Sequence, residues 1–330
     1  MKLIFFGTPE FAVPVLKALI DTGYVVAAVI TKPDEPVGRK QILTPPPIKS
    51  WIMKHETWNI PILQPKKLDK EFTFQVSSFK PDLIVVAAYG KIIPKEILDI
   101  PSHGTLNVHP SLLPKYRGAS PIQYAILNGD KETGITIMEI DEEMDHGPIL
   151  VNSKLPIADS DTYETLSKKL AELGAKLLVK TIPDYFLGKI ETIEQDHSKA
   201  TYTKIIKKED GKIDFKKSAE EIERMTRAYY PWPTTWAVWR QQEAKNKKRV
   251  LKILEIELFE ENFTKSAIVD FVKWPVGKVF LIGENNEKKL SVKCGEKSLI
   301  IKKLQLEGGK TLLAKDFLNG HRDFTGSVLK

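Results

Sequence analysis

Along the first 150 residues, short apolar runs alternate with segments whose apolar positions recur every three or four residues. "KLIFFG" (2–7), "YVVAAVI" (24–30), "DLIVVAA" (82–88), "GTLNVHP" (104–110) and "GITIMEI" (134–140) have the length of strands. Several are apolar on both faces, as buried parallel strands are. Strands separated by helical segments predict βαβ units and an α/β fold with a doubly wound, Rossmann-like, mostly parallel sheet. Thr8 and Pro9 mark a helix entrance, and Pro14 moves the regular helix a few residues later, because an interior proline clashes with the preceding turn. Residues 161–187 place Tyr163, Leu166, Leu170, Leu173 and Leu177 on one helical face, with Gly188 as a stop.

Beyond Gly188 the pattern changes. Residues 190–206 are polar and lack a sustained period, which predicts a linker. "SAEEIERMTRAYYPW" predicts a capped helix stopped by Pro231. After it, "RVLKILEIELFE", "GKVFLIG", "KLSVKCG" and "SLIIKKLQLEGG" alternate apolar and polar residues between glycine and asparagine punctuation. That is the signature of a small antiparallel β-barrel, for which an OB-like fold is one candidate. The expected organisation is a domain at 1–189, a linker at 190–206 and a smaller domain at 207–330.

A chain of 330 residues has room for two domains. No apolar run approaches the roughly 20 residues of a membrane-spanning helix, and the start "MKLIFFGTPEF" has no small-residue cleavage pattern, so a cytoplasmic protein is expected. A single cysteine, Cys294, excludes intramolecular disulfides and a thiolate zinc cluster. The net charge of +7 is unevenly divided. Residues 1–200 carry 23 Lys and Arg against 25 Asp and Glu, whereas residues 201–330 carry 27 against 18. An excess confined to one part raises the local concentration of polyanions such as nucleic acid, although lysine-rich surfaces also serve solubility.

Candidate chemistry centres on "NVHPSLLPKYRGASP" (107–121). Asn107 and His109 lie two apart, so both side chains point to one face of an extended strand. In open α/β sheets, ligands bind beyond the carboxyl ends of the strands. An amide and an imidazole there can stabilise negative charge developing on a carbonyl oxygen, with a nearby acid fixing the ring. Asp145 in "MDHGPIL" is the leading acid, with Asp141, Glu142 and Glu143 competing. The plainer alternative is a histidine that serves only as a structural hydrogen-bonder. No GxSxG elbow, GxGxxG turn or P-loop occurs, and His103, His109 and His146 lack the i, i+4 pairing of a zinc protease.

"FFGTPEFAVPVLKAL", "KPDEPVGR", "AAYGKIIP", "NVHPSLLPKYRGASPI", "ETGITIMEIDEEMDHGPIL" and "RAYYPWPTTW" together resemble the methionyl-tRNA formyltransferase branch of the 10-formyltetrahydrofolate-dependent formyltransferase family. "SLLPKYRGASPI" marks the wider family, while "KPDEPVGR" and the basic C-terminal part favour the tRNA-acting branch. The resemblance implies transfer of a formyl group from 10-formyltetrahydrofolate to the α-amino group of methionyl-initiator tRNA, for translation initiation, by a monomer that uses no metal. It assigns Asn107, His109 and Asp145 as the catalytic trio and sets Ser111, Leu112, Leu113 and Pro114 against the folate. The loop at 32–41 is implied to reach the tRNA acceptor end through Arg39 and Lys40. The basic stretches "EAKNKKRVLK" (243–252) and "IKKLQ" (301–305) are natural phosphate contacts, with Lys245, Lys247, Lys248 and Arg249 as the candidates. Ala87–Gly90 could line the same pocket as the trio, and the aromatics of "YYPWPTTWAVW" could stack on bases or form core. Two other readings remain: an amino-sugar nucleotide or purine precursor as formyl acceptor, and a nucleic-acid-binding protein without catalysis.

Overall fold

The computed structural model describes residues 1–38, 40–55, 58–241, 247–259, 273–283 and 288–330. The chain forms two compact units, the first built from Met1–Ala125, Lys131–Ala158 and Thr165–Ile205. Its elements run β1 (Lys2–Gly7), α1 (Ala12–Asp21), β2 (Val25–Ile30), β3 (Glu35–Val37), β4 (Ile42–Thr44), α2 (Pro47–Met53), β5 (Ile62–Leu63), α3 (Lys70–Ser78) and β6 (Leu83–Ala87). They continue with α4 (Lys95–Leu98), β7 (Thr105–His109), β8 (Arg117–Gly118), α5 (Pro121–Leu127), β9 (Glu132–Glu139), β10 (Ile149–Pro156), α6 (Tyr163–Phe186) and β11 (Tyr202–Thr203).

Seven strands form one sheet in the order β10-β9-β7-β6-β1-β2-β5. Neighbours from β7 through β5 pair in parallel, and β9 and β10 add antiparallel strands at one side. The chain winds outward from β1 through β2 to β5, then returns to place β6 on the other side of β1. In open α/β sheets such a reversal marks where ligands bind, beyond the carboxyl ends of the strands. β6 is buried throughout and β1 is buried from Leu3 to Gly7, which is why both read as unbroken apolar runs. β10 alternates between shielded and exposed positions, as an outer antiparallel strand does. Pro14 falls in the first turn of α1, where its missing N–H leaves no helical bond broken.

Two expectations for this unit change. The buried face of α6 comprises Leu166, Leu170, Ala171, Gly174, Ala175, Leu178, Thr181 and Ile182, while Leu173 and Leu177 are half-buried. Small residues take the inner stripe because the helix approaches β7 closely: a Cβ at Gly174 would lie 2.7 Å from Val108 Cγ1. Leucine spacing alone misses a stripe of alanine and glycine. Of the linker expected at 190–206, residues 190–205 are docked into the first unit. Ile193 exchanges two 2.8 Å backbone bonds with Ile149, Gln195 is 5% exposed, and β11 pairs in parallel with β8. Gln195 and Thr203 are the buried polar members of the segment; its other polar residues stay exposed while its backbone docks.

The second unit holds Ile206–Lys330 together with Ile126–Asp130 and Asp159–Glu164. It contains α7 (Ala219–Ala228), β12 (Thr235–Gln241), β13 (Lys247–Phe259), β14 (Val279–Ile282), β15 (Lys289–Lys293), β16 (Ser298–Leu306), β17 (Thr311–Leu313) and α8 (Ala314–Gly320). Arg224 donates to the Leu127 carbonyl at 3.0 Å and Arg227 to the Asp161 carbonyl at 3.0 Å, joining the two early segments to α7. Ser218 and Glu221 form a reciprocal cap at the start of α7.

The strands follow the antiparallel path β12-β13-β16-β15-β14, with β17 beside β16. The tail of the chain joins the two ends of that path. Val279 N–H donates to Ser327 O and Leu329 N–H to Gly277 O, both at 2.9 Å, while Val238 and Lys330 exchange bonds of 2.6 and 3.0 Å. Closure satisfies edge strands that would otherwise expose a row of unpaired backbone groups. Trp239, fully buried, packs edge-on against Phe317 and Phe324 at the centre of this unit.

Candidate active site

Asn107 and His109 leave β7 on the same face, and the turn between β9 and β10 brings Asp145 to them. Asn107 Nδ2 donates to Asp145 Oδ1 at 3.3 Å, and His109 Nδ1 lies 3.5 Å from the same oxygen. The other carboxylate oxygen, Oδ2, accepts the Gly118 N–H at 2.7 Å. His109 is 3% exposed, and its Nε2 sits 3.1 Å from the Tyr116 carbonyl. A carbonyl only accepts, so Nε2 carries a hydrogen and Nδ1 is the nitrogen that faces the carboxylate. Of the competing acids, Asp141 is engaged by His146 Nδ1 at 2.6 Å and by the Glu143 N–H, and Glu142 and Glu143 are exposed.

Asp145 adopts φ 50°, a left-handed conformation that costs a non-glycine residue on the order of 1–3 kcal/mol. Such a conformation persists only where its surroundings over-determine it. The polar groups that do so were not singled out from the sequence. Gln195 Nε2 donates to the carbonyls of Asp145 (3.0 Å) and Gly147 (2.7 Å), and Arg117, 2% exposed, donates to Gln195 Oε1. Arg117 lies in the stretch that drew attention, but spacing does not separate a buried arginine from a surface one. Gln195 carries no local signal at all.

The loop after β7 is more internally bonded than a ligand-facing loop needs to be. Ser111 is fully buried; its hydroxyl donates to Lys115 O at 2.5 Å and its carbonyl accepts from Thr136 Oγ1 at 2.7 Å. Leu113 is buried with Met138 and Ile149, and its N–H donates to Thr136 Oγ1 at 3.2 Å. Leu112 and Pro114 are the half-buried members of the loop. At the end of β6, Ala88 (φ 50°) and Gly90 are exposed. Between them Tyr89 turns into the core edge-on to Phe6, and burial pushes its phenol up to about 12.

The expected tRNA residues divide. Arg39 and Lys245 lie outside the described residues. Lys40 is exposed in the turn between β3 and β4, and Lys248 is exposed on β13, whose backbone includes Lys247. Arg249, expected with them as a phosphate contact, differs from Lys248 in exposure. It is half-buried, and the two-residue period of a strand puts it on the side of Leu251 and Ile253, opposite Trp239 in register. In "IKKLQ", Lys302 pairs with Glu257 and Lys303 with Glu255, so that stretch is less basic in space than in sequence. Trp239 and Tyr229 are buried, whereas Tyr230 and Trp232 are exposed. Among the described residues, no group of three or more His, Cys, Asp or Glu side chains could hold a metal ion, and no helix is long and apolar enough to cross a membrane.

An amide, an imidazole and a carboxylate at the carboxyl end of a parallel sheet make a site that can move a proton and stabilise an oxyanion. Comparison with known proteins identifies the class. Residues 1–182 match the family described as "Formyl transferase" and residues 205–322 the one described as "Formyl transferase, C-terminal domain". The chain belongs to the formyl transferase family. It is 44% identical over 321 residues to the "Methionyl-tRNA formyltransferase" of Halalkalibacterium halodurans, covering 97% of this chain and 95% of that one. With the protein of the same name from Caldicellulosiruptor saccharolyticus it shares 41% identity, covering 100% of both chains.

Solved structures share the fold at lower identity. HypX from Aquifex aeolicus, in complex with tetrahydrofolic acid, aligns with a TM-score of 0.63 at 15% identity, over 98% of this chain and 48% of that one. This chain thus spans about half the length of HypX. An N-formyltransferase from Helicobacter canadensis, in complex with folinic acid and dTDP-3-aminofucose, aligns with a TM-score of 0.62 at 20% identity, over 91% and 98%.

Proposed function

We propose that the protein transfers the formyl group of 10-formyltetrahydrofolate to the α-amino group of methionine esterified to initiator tRNA. The observation that carries this reading is the meeting of Asn107 and His109 at one carboxylate oxygen of Asp145, in a chain so similar over its whole length to methionyl-tRNA formyltransferases. The neutral amine attacks the formyl carbon, a C–N bond forms, and the carbonyl oxygen becomes an oxyanion. Asn107 has a second amide hydrogen to offer that oxygen, and the His109–Asp145 pair supplies a proton-sharing acid and base. The proton lost by the amine passes through water to Asp145. Collapse of the intermediate breaks the bond to the folate nitrogen, which takes that proton back from Asp145 through water and leaves as tetrahydrofolate.

Leu112 and Pro114 offer the partly exposed surface for the folate, anchored by buried Ser111 and Leu113. The first unit carries the chemistry, and residues 207–330 bind tRNA, with Lys248 among the outward cations. Arg39 and Lys40 engage the acceptor end, so Arg39→Ala weakens use of tRNA and leaves folate binding intact. The enzyme works in the cytoplasm as a monomer, without a metal. The deciding experiment offers labelled 10-formyltetrahydrofolate with initiator and elongator methionyl-tRNAs, an amino-sugar nucleotide and a purine precursor. Label on initiator methionyl-tRNA is expected; label passing only to a small molecule would overturn the reading.

A further inference from the structure

We infer that Arg117 and Gln195 are positioning residues for Asp145, and that residues 116–118 act as one strap holding both members of the His109–Asp145 pair. The inference rests on the formyl-transfer reading of the trio. The side-chain amide of Gln195 is saturated. Its Oε1 accepts from Arg117 Nε (3.2 Å) and Nη2 (2.7 Å), and its Nε2 donates to the carbonyls of Asp145 (3.0 Å) and Gly147 (2.7 Å). An amide has two acceptor positions and two N–H groups, so all four are used. The orientation is fixed as well. A guanidinium only donates and a carbonyl only accepts, so a flipped amide would be opposed at every contact.

The two gripped carbonyls bracket His146, in the turn where Asp145 holds φ 50°. His146 is also held from the side: its ring stacks on His197 at 4.1 Å and 3°, and His197 Nδ1 accepts from Arg117 Nη2 at 2.8 Å. One guanidinium therefore governs the turn by two routes. The neighbours of Arg117 complete the strap, since the Tyr116 carbonyl meets His109 Nε2 and the Gly118 N–H meets Asp145 Oδ2. A side chain at Gly118 would lie 2.5 Å from Thr203 O, so the backbone approach needs glycine. The strap is tied in turn to residues 201–203, with Arg117 N–H donating to Thr201 O and Tyr116 N–H to Thr201 Oγ1, both at 2.8 Å. Loss of the clamp frees a strained turn to relax, and a misplacement of about 1 Å can cost on the order of a hundredfold in rate.

Two variants separate positioning from simple stability. Gln195→Leu removes all four bonds. Gln195→Glu keeps oxygens facing Arg117, now as an ion pair, but takes away both N–H groups from the turn, so the grip on Asp145 is lost while the anchor to Arg117 stays. For both we expect kcat to fall by about ten- to a hundredfold with KM for each substrate changed less than threefold. Gln195→Glu, which keeps the Arg117 contact, should unfold thermally closer to the parent temperature than Gln195→Leu. The ring nitrogens of His109, followed by 15N NMR without substrate, should shift in both variants. An unchanged His109 spectrum, or a Gln195→Glu kcat within threefold of the parent, would overturn the inference. A parent enzyme that does not formylate methionyl-tRNA would instead sink the functional reading, while the NMR result still decides the positioning role.

Discussion

Arg117 and Lys248 carry the same charge under opposite constraints. Arg117, in the first unit, is 2% exposed and spends its donors on Gln195 and His197 at fixed distances. Lys248, in the second, is exposed on β13 and free to follow a ligand. Burying a cation is costly unless its hydrogen bonds are satisfied, so a buried arginine is tolerable only inside a completed network. Such a network is pre-organised, which is what a reaction needs at the moment charge develops. An exposed lysine holds no fixed geometry and is screened by salt, which suits contact with phosphates at many positions. Arg117 thus fixes geometry, whereas Lys248 presents charge at the surface.

The largest test of that contrast is where the chain is cut. A fragment ending at Ile205 should lose productive tRNA binding, read by gel shift, while keeping the His109–Asp145 contact, read by NMR. A fragment ending at Ala200 should lose both, because Thr201 holds the backbones of Tyr116 and Arg117. Full tRNA affinity in the longer fragment would erase the division of labour. Within the first unit, Asn107→Ala, His109→Ala or Asp145→Ala should each lower kcat by about a hundredfold or more, the scale of an oxyanion donor or general base. Near-normal turnover in all three would remove the site from this unit.

Smaller effects sharpen the comparison from the second unit. Ser218→Ala breaks the cap of α7 and should cost about 1 kcal/mol, lowering the unfolding transition of this unit alone in calorimetry. A matching shift in the first unit's transition would mean that the two unfold together. For wild type, tRNA affinity should fall as salt rises, and Lys248→Ala should reduce the slope of log affinity against log salt by about one. A slope that does not change assigns Lys248 to the solvent rather than to a phosphate.

The strands were readable because burial on both faces leaves an unbroken apolar run, as in β1 and β6. The capped start of α7 was equally plain, since a Ser–Glu capping box is local chemistry. The face of α6 was misjudged because leucines were followed and Gly174 was not; its meaning lies in Val108, which is distant in sequence. Polarity misled at Gln195, which is polar because it binds Arg117 and two backbone carbonyls inside the unit. Arg249 was grouped with its basic neighbours, although strand parity turns it toward the core. The motifs carried Asn107 and His109 and put Asp145 ahead of Asp141, Glu142 and Glu143; the distance from Asp145 to His109 belongs to the fold alone.

By itself, then, the sequence determined the succession of strands and helices, the split in charge between the two parts, and the pairing of Asn107 with His109 on one strand face. These follow from periodicity, which acts between neighbours along the chain. Only the tertiary structure decided which acid meets His109, which polar residues are internal, and how residues 195–203 support the site. Those depend on contacts such as Arg117 with Gln195, where the donor and acceptor lie far apart along the chain and become partners only when the sheet and its loops are packed.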